Sequence, residues 1–529
     1  MATVLNHPRL GEVLGAPHES EEVVQYLGIQ YATLGHRFAS AEVKTEYGGK
    51  VDATSWGPSV VSAPVACDIE FGLIQKSLDR PTPPPISDTE GLNLNITVPK
   101  GTSEAAKGNL PVLVFVHGGG FAVGGTWAPH IDLSRLVAFS ASIGKPIVGV
   151  SINYRLGVPG FLDSKEFRAA GILPNRGLLD QAASFRWVRQ NIAGFGGDPN
   201  HVTAIGQSAG GSSVIHLLNL EQVDEPLFDR VICLSGNPMV ATILPESVAQ
   251  GAFQAVLGNL GIDSALPVVD QIAALTAASH EDLLTKVPMS VPLGPVVDEE
   301  QLPTFKAMQS KAPVKRGVPL MIGSTDLDGA IFEVFGIFAG RDESTLVEDF
   351  ESVLQRVIPA GQHASLTKLL NAYGLASSSA PKSENPQRSI LLFGTDLKYF
   401  TSTQSYAASW PASSWKYYFQ EANPWEGPHR GHSAHCLDIA YLFLNYSDHM
   451  NESQLTVASA LASDVLTFTR GQDPWPEYRS SQRVRVYGQA KNSVEDDQSV
   501  GPTREVRQLW EEVGLDALVQ AYDAYLFKQ

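Results

Sequence analysis

Residues 202–214 read VTAIGQSAGGSSV. An apolar run, Val202–Ile205, meets a G-x-S-x-G at Gly206–Gly210, and a helix-like segment over 209–220 follows at once. A serine held between a buried strand and a helix sits on a tight turn, so small residues must flank it. That turn lifts the Ser208 hydroxyl to the C-terminal edge of a sheet, where the N–H of Ala209 can face a developing negative charge. With 47 Gly in 529 residues, a bare G-x-S-x-G arises by chance roughly 0.3–0.4 times. The strand–turn–helix setting therefore carries the reading.

Upstream and downstream, short apolar runs alternate with helix-like segments. Strands are expected at Val112–Val116, Ile147–Ile152, Val202–Ile205 and Val231–Leu234, and further on at Pro319–Gly323 and Trp415–Gln420. Continuous apolar runs of this length suit strands buried on both faces of a largely parallel sheet. Helices are expected at about 130–142, 177–192, 209–220, 437–444, 455–470 and 503–526. The alternation predicts α/β architecture with right-handed crossovers. The middle third, about 240–410, reads as mainly helical insertions over one sheet. Two Pro- and Ser-rich stretches, 79–90 and 376–388, read as surface loops rather than domain linkers.

Directly after VLVFV comes His117-Gly118-Gly119-Gly120-Phe121. Glycines at a strand end leave backbone N–H groups unobstructed, so Gly119 and Gly120 are candidate donors to an oxyanion, with Ala209 as a third. A serine hydroxyl needs a base within hydrogen-bond reach and an acid to orient it. In this arrangement the chain order is Ser, then Asp or Glu, then His. His429, His432 and His435 are not separable by pattern alone. Asp326 and Asp328, in the loop after Pro319–Gly323, are equally open as the acid.

Composition removes other classes. Thirty-eight Lys+Arg stand against 56 Asp+Glu, a formal net charge of −18. Nucleic-acid binding needs clustered basic residues, so it is not expected. No membrane span is expected either, since the apolar part of 110–131 is only LPVLVFV. The start, MATVLNHPRLGEVLGAP, lacks the features of a secretory signal. Three cysteines, Cys67, Cys233 and Cys436, are too few for a disulfide scaffold. A cytoplasmic protein is the expectation. No CxxC or HExxH spacing suggests a metal, and the glycine runs lack the Lys of a phosphate-binding loop, so no cofactor is expected.

Taken together these residues resemble the type-B carboxylesterase family, the cholinesterase-like branch of the α/β-hydrolases, particularly intracellular microbial and fungal members. The resemblance covers nearly the whole chain: YLGIQYA at 26–32, LNLNITVP at 92–99, LPVLVFVHGGGF at 110–121, VSINYRLGVPGFL at 150–162 and the block at 175–214. It implies a single α/β-hydrolase domain over 1–529. That domain would have a central, mostly parallel mixed sheet flanked by helices, with helical insertions at about 240–410 forming the walls of a gorge.

The resemblance also implies roles. Asp328, just before Gly329, matches the family's acid, and His435, ahead of Asp438-Ile439, matches its histidine. Ser208 is then the nucleophile, His435 the base and Asp328 the orienting acid. Asp326 stays a lesser alternative, because the family acid is more often the longer Glu. Gln207 stands where the family usually has Glu, which implies a site less hostile to anionic substrates; Gln207 and Phe121 are the pocket candidates. Gly91 stands where a disulfide partner of Cys67 would be, leaving Cys67 free. No Trp lies between Cys67 and Gly91, which argues against choline esters. Arg37 with Glu90, and Arg155 with Asp180, look like scaffold ion pairs.

The expected activity is hydrolysis of a small-molecule ester through an acyl-enzyme, falling at low pH as the base protonates. A lactone substrate is an alternative. So is acyl transfer or cyclisation on a biosynthetic intermediate, with the same residues. A non-catalytic cholinesterase-like module is the weakest reading, since every catalytic element is kept. A homodimer is possible.

Overall fold

The computed structural model describes residues 3–18, 22–101, 109–220, 226–240, 243–298, 317–378, 382–488 and 491–528. Part of the expected loop at 376–388 therefore lies outside the described residues, as does part of the span 240–410.

The strands in chain order are β1 (Thr3–His7), β2 (Gly11–Pro17), β3 (Val23–Gln30), β4 (Ala32–Thr33) and β5 (Glu42–Val43). They continue with β6 (Lys50–Ala53), β7 (Asn93–Pro99), β8 (Leu110–Val116), β9 (Val148–Ile152) and β10 (Gly197–Gln207). The last five are β11 (Arg230–Leu234), β12 (Leu320–Thr325), β13 (Ser414–Phe419), β14 (Arg483–Gly488) and β15 (Lys491–Asp496). One large sheet runs β1-β2-β3-β7-β9-β8-β10-β11-β12-β13-β14-β15, with β6 beside β2, while β4 and β5 pair separately.

From β9 to β14 every pairing is parallel. The flanking pairs on both sides are antiparallel. The parallel strands are apolar on both faces because helices cover both, including Arg176–Asn191, Ala209–Leu217 and Glu452–Thr469. Val112, Val114, Ile205, Val231 and Ile322 are fully buried, each worth about 1.5–3 kcal/mol relative to exposure. This is the α/β architecture that the alternation predicts, in the α/β-hydrolase arrangement that the resemblance implies.

Two details depart from expectation. The C-terminal segment 503–526 is two helices, Arg504–Val513 and Leu515–Leu526, rather than one. Gly514 separates them with φ +94 and ψ 115, a conformation closed to side-chain-bearing residues. And Arg37 pairs with Asp88 at 2.7 Å, not with Glu90. The Ser87 hydroxyl accepts the N–H groups of Thr89 and Glu90, and Glu90 ends exposed on that turn. Arg155 and Asp180 do pair, through two side-chain bonds of 2.6 and 2.8 Å, both residues fully enclosed.

In the span 240–410 the described elements are helices, such as Glu246–Leu260, Val268–Ala277, Leu346–Val357 and Pro386–Gly394, with β12 among them. A second, smaller core joins Phe38, Phe167, Phe253, Leu257 and Leu275 beneath the first of these helices. Among the described residues no helix is long and apolar enough to cross a membrane.

Candidate active site

Ser208 follows the last residue of β10 and precedes the helix Ala209–Leu217, with φ 54 and ψ −122. Backbone strain of this kind costs on the order of 1–3 kcal/mol and persists only when the surroundings enforce it. Here they do. A Cβ on Gly206 would lie 2.2 Å from the carbonyl oxygen of Gly210, and one on Gly210 would lie 2.0 Å from that of Val116. The strand, the turn and the helix pack too closely for any side chain at either glycine. The Ser208 N–H is anchored on the Leu234 carbonyl of the neighbouring strand at 2.9 Å.

The glycine loop after β8 faces this turn. Gly119 has φ +93 and Gly120 φ +60, and the Gly119 carbonyl accepts from Ala122 and Val123, both at 3.0 Å. Among the described residues, the N–H groups of Gly119, Gly120 and Ala209 donate to no protein acceptor. His117 braces the loop: its Nδ1 meets the Gly118 carbonyl at 3.0 Å, and its ring stacks on Tyr154 at 4.6 Å. Burial lowers the His117 imidazole below its usual range.

Asp328 and His435 come from two loops tied together at the C-terminal ends of β12 and β13. The Leu327 N–H bonds the Ser433 carbonyl at 3.0 Å, and Leu327 bridges Ala434 in parallel register. That bridge sets Asp328 beside His435, with Nδ1 to Oδ1 at 2.7 Å and both side chains sealed from solvent. The Thr325 N–H holds the other carboxylate oxygen at 2.7 Å. Asp326 instead accepts the Ser433 N–H and faces His432, while His429 faces Glu333.

The second nitrogen of His435, Nε2, is 3.1 Å from the amide nitrogen of Gln207, which also donates to Cys436 Sγ at 3.3 Å. A carboxylate can only accept, so Nδ1 carries the ring proton and Nε2 accepts from Gln207. Behind this group, Asp438 receives the Tyr417 hydroxyl at 2.9 Å. Burial and then the Asp328 charge push Asp438 up to about 6. Burial also raises the Cys436 thiol well above its usual value, so the thiol stays protonated.

Ser208, His435, Gly119, Gly120, Gln207 and Cys436 line one pocket of about 440 Å³, part of it open to solvent. Phe121, expected in this pocket, packs on Phe161 at 4.9 Å instead and is buried outside it. Its backbone turns away at φ 61 while its carbonyl takes the Gly157 N–H.

The apolar wall of the pocket is Met289, Ile331, Val334 and Phe335, residues that sequence reasoning did not name although they lie in the span 240–410 from which walls were expected. What it missed is Glu70, on the helix Ala66–Ile74, whose carboxylate bonds His130. Burial alone would raise the Glu70 carboxyl, but His130, and more weakly His117 and His435, bring it below its usual value. Gln207 leaves the position before Ser208 uncharged, but the same pocket still holds the carboxylate of Glu70. The only sequence signal was a lone acid amid the apolar residues of IEFGLI. Among the described residues, no cluster of His, Cys, Asp or Glu could hold a metal ion.

A strand-to-helix turn bearing a strained serine, on a mostly parallel sheet with an Asp–His pair beyond it, defines an α/β-hydrolase. The carboxylesterase family model matches residues 2–497, and the chain belongs to that family; it is a carboxylic ester hydrolase. It is 30% identical over 520 residues to the para-nitrobenzyl esterase of Bacillus subtilis, covering 94% of this chain and 96% of that protein. It is 35% identical over 248 residues to the liver carboxylesterase of Sus scrofa, covering 46% of this chain and 41% of the other. A solved thermophilic PNB esterase aligns with TM-score 0.74 and 26% identity, covering 96% of this chain and all of that one. A Geobacillus stearothermophilus carboxylesterase aligns over the same shares with TM-score 0.73 and 26% identity.

Proposed function

We propose that the protein hydrolyses small-molecule carboxylic esters through an acyl-enzyme on Ser208, with His435 as base then acid and Asp328 as the orienting group. The observation that carries this reading is the 2.7 Å contact of His435 Nδ1 with Asp328, in a pocket that also holds Ser208 on its strained turn. The Ser208 hydroxyl oxygen attacks the ester carbonyl carbon as its proton passes to His435 Nε2. Gln207 must first release that nitrogen, so its hydrogen bond describes the resting state. The carbonyl oxygen, now an anion, is received by the N–H groups of Gly119, Gly120 and Ala209, which have no competing acceptor. His435 returns the proton to the leaving alcohol as the C–O bond breaks. Water then attacks the acyl-enzyme by the same route and frees the acid.

Asp328 keeps Nδ1 protonated and stabilises the imidazolium in each half of the cycle, and Thr325 fixes the carboxylate for that task. The chain is proposed to work as one domain in a reducing compartment. All three cysteines are free and buried, and a side chain at Gly91 would press on Val60 at 2.9 Å. Because a relative is named for para-nitrobenzyl esters, such an ester is the first probe. Wild type is expected to turn it over, and Ser208→Ala to lose roughly 10⁴-fold or more in kcat/KM. Equal turnover by both would refute the assignment of the nucleophile.

A further inference from the structure

Among the described residues, Glu70 is the one carboxylate lining the pocket that holds Ser208 and His435; most of the remaining wall is apolar, including Ile69, Leu73, Val123 and Phe335. Its two oxygens differ. Oε2 is taken by the fully buried His130. Oε1 has no hydrogen bond among the described residues, the side chain keeps 14% of its exposure, and Glu70 stands between this pocket and a second cavity lined by His117, Gly118 and Gln207. The backbone of Glu70 is fixed within the helix Ala66–Ile74, and His130 fixes its carboxylate. A half-free, oriented acceptor in an apolar pocket has a definite preference: a substrate that donates to it gains a charge-assisted bond, and one that cannot leaves it desolvated and unpaired.

We infer that Glu70 is a specificity residue for this esterase, accepting a hydrogen bond from a hydroxyl group carried by the substrate near its ester bond. The inference rests on the serine-esterase reading above and names the substrate class of that site. A neutral hydroxyl fits better than an ammonium group. An ammonium group would have to be desolvated against the apolar walls, at a greater cost than a hydroxyl. A carboxylate-bearing ester is disfavoured, because two like charges would meet in the pocket.

The test compares kcat/KM for matched esters: ethyl 3-hydroxybutyrate against ethyl butyrate for the acyl side, and 2-hydroxyethyl butyrate against propyl butyrate for the alcohol side. Wild type is expected to favour the hydroxylated member of at least one pair by about 10–100-fold. Glu70→Leu should erase that ratio and Glu70→Gln should keep part of it. Each ratio is taken within one variant, so a general loss of folded enzyme cancels. No preference in wild type, or a preference that survives Glu70→Leu, would overturn the inference, as would a stronger preference for ethyl 3-aminobutyrate than for the hydroxy ester. Fluorophosphonate labelling of Ser208 is run on every variant. Labelling with no hydroxyl preference refutes the Glu70 role alone, whereas absence of labelling on folded wild type refutes the underlying reading.

Discussion

The side-chain amide of Gln207 donates to His435 Nε2 at 3.1 Å, on the opposite side of the ring from Asp328. The residue before the serine thus touches His435 directly. As an N–H donor, the amide matches an unprotonated Nε2 rather than an imidazolium N–H.

Gln207→Glu is expected to reverse that preference. A carboxylate at this position favours the imidazolium, so more of the enzyme is protonated, and inactive, at any given pH. The acid limb of the kcat/KM profile should move to higher pH by about one unit. A limb that stays in place or moves to lower pH would show that Gln207 does not address the base.

The two aspartates of the loop after β12 should separate cleanly. Asp328→Asn keeps the shape but frees Nδ1 from its carboxylate, and the loss in kcat is expected to be about 10³–10⁴-fold. Asp326→Asn leaves the His435 contact untouched and should change kcat less than about tenfold. Similar losses in both variants would contradict the assignment.

Sequence alone left Asp326 and Asp328 open for a physical reason. The choice depends on the bridge between Leu327 and Ala434, a pairing 107 residues apart that no local pattern encodes. The strand–turn–helix at Ser208 was legible because each of its constraints is local: a buried strand, a glycine on each side, a helix start. β8, β9, β11 and the end of β10 were legible because burial on both faces leaves apolar runs, whereas β12 and β13 were fainter, with polar Ser324, Thr325, Ser414 and Lys416 buried in them. β1 and β2 were not, since only alternate residues are buried at that edge of the sheet. Glu70 was invisible because its partner, His130, is distant in sequence and its surroundings in the helix look like ordinary core.

A stability prediction follows from Asp396, a buried carboxyl that receives the Tyr373 hydroxyl at 2.7 Å. Burial pushes it up to about 7 from the ordinary 3.8. The folded state therefore holds this proton more tightly than the unfolded chain. Its contribution is complete below the unfolded value and is lost as pH rises to about 7. Asp396→Asn still accepts from Tyr373 and cannot ionise. Relative to wild type it should gain on the order of 1–3 kcal/mol between pH 5 and pH 8, read by urea denaturation at both. An equal effect at the two pH values would contradict the assignment of the proton.

Arg155 ties three segments together through Asp180 and the carbonyls of Arg37 and Ala39. Arg155→Met strands a fully buried carboxylate and is expected to cost about 3–5 kcal/mol. Arg155→Lys cannot reproduce the fork and should recover only part of this. Unfolding midpoints within about 0.5 kcal/mol of wild type would place the pair outside the stabilising core.

The central claim is that Ser208 is an activated nucleophile, and intact mass after incubation with a fluorophosphonate tests it most directly. One adduct on wild type and none on folded Ser208→Ala is the predicted result. No adduct on wild type, or the same adduct on both proteins, would contradict it.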